Sequence, residues 1–272
     1  MGPLTKRILV AIPAIIILLF ATFWEIPVLF KLLAAAALGL ALFEFFVLAD
    51  ARKLKTLRAE GFFALGLILL PWILRPLASW EGHGTLLAGL WILTLSFLWS
   101  SRPLKEMIPS VSVTFFAVAY FGLLGVYFFR LRELPNGSWQ LLWVYAATWA
   151  YDTGGYFAGR FWGRHKLAPL TSPKKTWEGC AGGFVLTLAA LFVLWKEIPF
   201  YSQSYRLMDV LALSFLLSFF GQVGDLVESV IKRSLSAKDS GSFFPGHGGV
   251  FDRIDSLLFN APVLFYYLLI IK

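Results

Sequence analysis

The chain has 272 residues, is 58% hydrophobic and carries only 15% charged residues, where an average soluble domain has roughly 25%. This excludes a soluble globular protein and points to an integral membrane protein. Its one cysteine, Cys180, excludes an internal disulfide framework and a Cys-based zinc site. The formal net charge of +8 would suit nucleic acid in a soluble protein, but the basic residues stand in loops between apolar runs. Membrane topology and anionic lipid or nucleotide phosphate account for them there, and no nucleic-acid partner is expected.

A membrane span needs ~20 mostly apolar residues. The run after Lys6 and Arg7 has no small-residue cleavage site leading into a polar region, and reads as a retained first span. Segments at about 8–24, 27–49, 61–75, 84–100, 110–129, 139–158, 179–195, 208–231 and 254–271 predict an all-α polytopic fold of about nine transmembrane helices. The third and fourth are short, and the Trp- and Pro-containing stretch 71–80 also fits a re-entrant piece. No internal repeat is evident. Residues 1–138 form an N-terminal region of about five spans, serving as scaffold or lipid access path. Residues 139–272 form a catalytic region of about four spans with loops 158–179 and 232–253. The face that begins with the N-terminus carries 17 of the 24 Lys and Arg residues, which puts the N-terminus and both charged loops in the cytoplasm. The segment 50–60, with four basic residues, reads as a solvated connector or lipid-headgroup contact.

Three groups of residues carry chemistry. In the eighth span a helix puts Asp225, Glu228, Ser229 and Lys232 on one face. Lys232 and Arg233 alone would fit interfacial anchoring; an acid as deep as Asp225 needs a polar cavity or a cation. In 245–256, Gly248 and Gly249 let backbone approach an anion, and the amides opening the ninth helix point the same way. Asp252 and Asp255 fall on that helix's first turn, as N-terminal caps or as metal ligands. His247 fits a phosphate contact or a turn. In 149–179, Asp152 lies inside an apolar span, and Gly154, Gly155 and Ala158 permit close helix packing. Arg160, Arg164, Lys166, Lys174 and Lys175 follow, interleaved with Ser172, Pro173 and Thr176. They read as topology signals or as a phosphate-gripping loop.

The pattern Ser229-x-Ile-Lys-Arg-x4-Lys-Asp-x-Gly-x2-Phe-Pro-x-His-Gly-Gly-Val-x-Asp-Arg-Ile-Asp255 resembles the signature of the phosphatidate cytidylyltransferases, the CDP-diacylglycerol synthases. The block from Asp152 through Gly155, Gly159-Arg160, Lys166 and Ser172–Gly179 is similar to that family's second characteristic region. The likeness covers most of 145–260, and the first ~140 residues match only in being hydrophobic. It implies a CTP-dependent nucleotidyltransferase of phospholipid biosynthesis, with CTP and phosphatidic acid as substrates, CDP-diacylglycerol and pyrophosphate as products, and Mg²⁺ as cofactor. A multi-pass protein of the cell (inner) membrane follows, with its active site facing the cytoplasm, membrane lipids around it and a homodimer as its assembly.

Under this resemblance Asp225 and Asp252 are the principal metal ligands, and Asp255, Asp152 and Glu228 are further ligands or lie behind them. A second cation is compatible with the set. Lys232, Arg233 and Arg253 act with the aspartates in catalysis. Arg160, Lys166, Ser172, Lys174, Lys175, Thr176, Lys238, His247, Gly248 and Gly249 bind substrate phosphates. A CDP-alcohol phosphotransferase would need an Asp-Gly-x2-Ala-Arg core, which is absent. A CTP-dependent polyprenol-type lipid kinase is the nearer alternative. A cation-coupled transporter leaves the Lys/Arg/Gly loops without a role.

Overall fold

A computed structural model describes residues 3–74, 82–98, 102–241, 243 and 248–271. These divide between two compact units, one of residues 1–133 with 234–253, the other of residues 134–233 with 254–272.

The first unit contains α1 (Pro3–Phe23), α2 (Val28–Ala51), α3 (Arg58–Leu74), α4 (Gly82–Leu95) and α5 (Met107–Glu133), with a single 3-10 turn at Leu104–Glu106. Helix α2 is apolar almost all round, as suits a helix surrounded by protein and lipid. Its Leu38, Leu42 and Phe46 are fully buried with Phe121 and Phe129 of α5. Gly125 permits that approach: a Cβ there would lie 2.5 Å from Leu38. The buried Lys31 of α2 pairs with Glu133 at 2.5 Å and donates to the Trp72 carbonyl at 2.6 Å. A charge this deep is tolerable only with such partners. The connector after α2 is tied down as well. Asp50 accepts from Thr56 N and from Arg58, and Arg52 Nε donates to the Leu235 carbonyl at 2.9 Å.

The second unit contains α6 (Gly137–Phe161), strands β1 (Lys166–Ala168) and β2 (Ser172–Thr176), α7 (Trp177–Glu197), the short α8 (Pro199–Ser204), α9 (Leu207–Ser234) and most of α10 (Phe251–Ile271). Helices α6 and α7 pack on small residues. A Cβ on Gly182 would collide with Ala158, and one on Gly154 with the Gly182 carbonyl. The loop expected between them contains an antiparallel hairpin, with Lys166 opposite Thr176 and Ala168 opposite Ser172. Glu178 secures its base by accepting from the backbone N–H groups of Arg164 and His165 and pairing with His165 Nδ1 at 2.6 Å. Thr176 caps α7, accepting from Gly179 N at 3.1 Å. The fully buried Asn260 of α10 donates to Thr148 Oγ1 of α6 at 2.9 Å.

Each of the nine apolar segments is helical over most of its described length. Among the described residues, five helices are long and apolar enough to cross a membrane: Val28–Ala51, Leu104–Glu133, Trp177–Glu197, Leu207–Ser234 and Phe251–Ile271. Helices α3 and α4, with 17 and 14 residues, fall short of the ~20 a span needs. Part of the 71–80 stretch lies outside the described residues; Pro71 and Trp72 belong to α3.

Candidate active site

The second unit holds a cavity of about 390 Å³ whose walls come from α6, β2, the start of α7 and α9. Asp152 and Arg160 stand on it from α6, Lys174, Lys175 and Thr176 from β2, and Asp225 from α9. Gly155, Gly159 and Gly179 form part of the wall, and they let α6 and α7 approach there: a Cβ on Gly179 would lie 3.0 Å from the Gly155 carbonyl oxygen. Three cations and two carboxylates therefore face one space, a set that suits a polyphosphate with a counter-cation.

Asp225 is central to this arrangement. Its Oδ2 lies 2.5 Å from Lys175 Nζ, and Oδ1 accepts from Ser229 Oγ at 3.5 Å. As the helical spacing predicts, Glu228 follows on the same face. Glu228 is 1% exposed, and its Oε2 lies 2.6 Å from Lys232 Nζ. Asp255 of α10 completes a group in which carboxylate oxygens of Asp225, Glu228 and Asp255 all lie within 4.8 Å of one another. Three hard oxygen donors at that spacing could hold a metal ion. Arg233 Nε donates to the Thr171 carbonyl at 3.2 Å, so this arginine braces the hairpin turn.

The remaining residues of the 238–253 loop belong to the first unit. Asp252 Oδ2 accepts from Gly249 N at 2.7 Å, Ser240 N at 3.0 Å and Ser240 Oγ at 3.1 Å. Glu44 of α2 accepts from Val250 N at 2.8 Å through Oε1 and from Phe251 N at 3.0 Å through Oε2. The amides opening α10, which the glycine pattern aims at an anion, are thus engaged by carboxylates of the chain itself. Gly248 has φ +79°, a left-handed conformation that favours glycine. Lys238 and Arg253 are exposed, and His247 lies outside the described residues.

Of the residues singled out from sequence, the structure brings Asp152, Arg160, Lys174, Lys175, Thr176 and Asp225 onto one cavity, and Asp225, Glu228 and Asp255 into one cluster. Lys166 and Ser172 lie on the hairpin outside the cavity wall. Sequence reasoning missed two residues. Gln222 lines the cavity three positions before Asp225, accepting from Tyr151 Oη at 3.1 Å. Its signal is a polar amide one turn from Asp225 in an apolar helix. Glu44 is the other, and its signal is an acid inside the 27–49 span.

Comparison with known proteins agrees with this chemistry. The model of the Cytidylyltransferase family matches residues 5–271. A phosphatidate cytidylyltransferase of Bacillus subtilis is 37% identical, covering 98% of each chain. One of Staphylococcus saprophyticus is 34% identical over 95% of this chain and 96% of its own. One of Staphylococcus haemolyticus is 35% identical over 83% and 85%. With such likeness running nearly end to end, the chain belongs to the cytidylyltransferase family.

Proposed function

We propose that this chain transfers CMP from CTP to phosphatidate, releasing pyrophosphate. One observation carries the reading: a cavity in which Arg160, Lys174 and Lys175 face Asp152 and Asp225, with Asp225 joined to Glu228 and Asp255. The names of the relatives support the choice of substrates. A phosphate oxygen of the lipid attacks the α-phosphorus of CTP, and the bond from that phosphorus to the bridging oxygen of the β-phosphate breaks. The nucleophile is a phosphomonoester with a second pKa of about 6, so it is anionic at neutral pH and needs no general base. Catalysis is then positioning and charge neutralisation.

Asp225, Glu228 and Asp255 would hold Mg²⁺, with Asp152 as a further carboxylate and a second cation compatible with the set. When bound, Mg²⁺ supplies neutralisation of the triphosphate charge. Arg160, Lys174 and Lys175 grip phosphate oxygens from the cavity wall. Lys232 balances the buried Glu228, and Arg233 keeps the hairpin strand bearing Lys174 and Lys175 in place. The excess of Lys and Arg on one face supports nine crossings, a cytoplasmic N-terminus and an active site on the cytoplasmic face of the cell membrane, where CTP and lipid meet. A homodimer is the assembly we propose.

The purified protein, incubated with phosphatidate, Mg²⁺ and CTP labelled at the α- or the γ-phosphate, tests the reading. Label should enter lipid from the α-position only. Transfer from the γ-position would make the chain a kinase, and no transfer from either would discard nucleotide chemistry.

A further inference from the structure

We propose that Arg160 binds the phosphate of the lipid substrate, and that the aromatic side chains continuing from it along α6 bind the acyl chains. The inference rests on the CMP-transfer reading above and divides the cavity's cations between the two substrates. These cations differ in their surroundings. Lys175 is paired with Asp225 at 2.5 Å and its side chain is 19% exposed. Arg160 and Tyr156 line the same cavity, yet both are exposed. One turn apart on α6, they form a pair. Arg160 Nη1 donates to Tyr156 Oη at 2.7 Å, and the guanidinium carbon lies 6.0 Å from the ring centroid. The guanidinium keeps further N–H groups for phosphate oxygens.

Tyr156 opens an apolar surface. Its ring centroid lies 5.4 Å from that of Phe157, which stacks on Phe161 at 6.4 Å with the planes 5° apart. Tyr156, Phe157 and Phe161 are 58%, 52% and 67% exposed. Positions 156 with 160 and 157 with 161 are i, i+4 pairs, so two neighbouring columns run along the last turns of α6. One column ends on a cation at the cavity wall, and the other is wholly apolar. An anionic amphiphile needs such a surface. Its phosphate cannot part from its hydrocarbon, so a cation meant for it must border an apolar face. A nucleotide makes no such demand, and Lys175 beside the acid cluster suits its triphosphate. Trp162, two residues after Arg160, and Trp177, which opens α7, are exposed as well. Tryptophans gather at the membrane–water boundary, the depth of a lipid phosphate. A helix that merely faces lipid would account for Phe157 and Phe161, but not for an arginine held against a tyrosine at the cavity wall.

In the purified full-length protein, Arg160→Gln should raise KM for dioleoyl phosphatidate by about tenfold to a hundredfold, the worth of a charge-assisted contact, while KM for CTP stays within about twofold. Phe157→Ala combined with Phe161→Ala keeps the helix apolar and should raise KM for dioleoyl phosphatidate by about fivefold. The effect should be smaller for dihexanoyl phosphatidate, whose shorter chains reach less of the surface. Native mass spectrometry reads binding without CTP. The wild-type protein should retain dioleoyl phosphatidate about tenfold better than dioleoyl phosphatidylcholine, and Arg160→Gln should lose that preference. Inorganic phosphate in large excess should not displace the lipid.

Equal retention of the two lipids would make the surface ordinary bilayer contact. Displacement by inorganic phosphate would make Arg160 a site for the free anion. A rise in KM for CTP matching that for phosphatidate would assign Arg160 to the nucleotide. Each of these overturns the proposal. Should Arg160→Gln fail to fold, Arg160→Lys, which keeps the charge and loses the fork, decides by the same measurements with a smaller shift. Should the wild-type protein transfer no CMP, the functional reading falls, and lipid retention without CTP still tests the role of Arg160.

Discussion

Two carboxylate clusters stand in the two units, and they are satisfied in different ways. Glu44 and Asp252 take their hydrogen bonds mostly from backbone N–H groups and a serine hydroxyl. Asp225 and Glu228 are held instead by lysine side chains, Lys175 at 2.5 Å and Lys232 at 2.6 Å. Backbone donors cannot leave without unfolding the turn that presents them, so the first cluster is a scaffold. A lysine is a point charge on a flexible stem and can be exchanged for another cation or turned to a phosphate. The second cluster can change partners, as the proposed handling of a triphosphate requires.

The contrast can be broken by experiment. The largest effect should come from Asp225→Asn, which removes the charge shared by the cavity and the acid cluster. Lipid labelling from α-labelled CTP should fall by about a thousandfold with an unchanged gel-filtration profile, and near-wild-type turnover would end the assignment of Asp225 to the reaction. Next is Lys232→Met, which strips the buried Glu228 of its ion-pair partner. Breaking a buried pair costs about 3 kcal/mol, read as a lowered thermal midpoint in detergent, and an unchanged midpoint would show that the pair is dispensable. The smallest effect sharpens the comparison. Mg²⁺ at ten times its dissociation constant should stabilise the wild-type protein by about 1.4 kcal/mol. That gain should vanish in Asp225→Asn and persist in Ser240→Ala. Loss of the gain in both variants would mean that the clusters respond to the cation as one.

Much of the molecule is legible locally. Apolar runs specify the helices because each helix satisfies its own backbone within the segment, and that needs no distant partner. The i, i+3 spacing of Asp225 and Glu228 puts them on one face of α9 whatever surrounds the helix. The charged loop after α6 is visible as a cation-rich stretch. Its folding into a hairpin is not, since Lys166–Ala168 and Ser172–Thr176 are too short and polar to register as strands.

Composition and spacing determined that this chain is helical and carries the apolar runs of a membrane protein, because those properties reside in runs of neighbouring residues. Only the tertiary structure decided which acids meet which donors. Asp255 joins Asp225 and Glu228 from another helix, and Glu44 reaches Ser240, Val250 and Phe251 across 196 to 207 residues. No period or motif links such positions. Their pairing follows from helix packing, and from the high cost of leaving a buried carboxylate without donors.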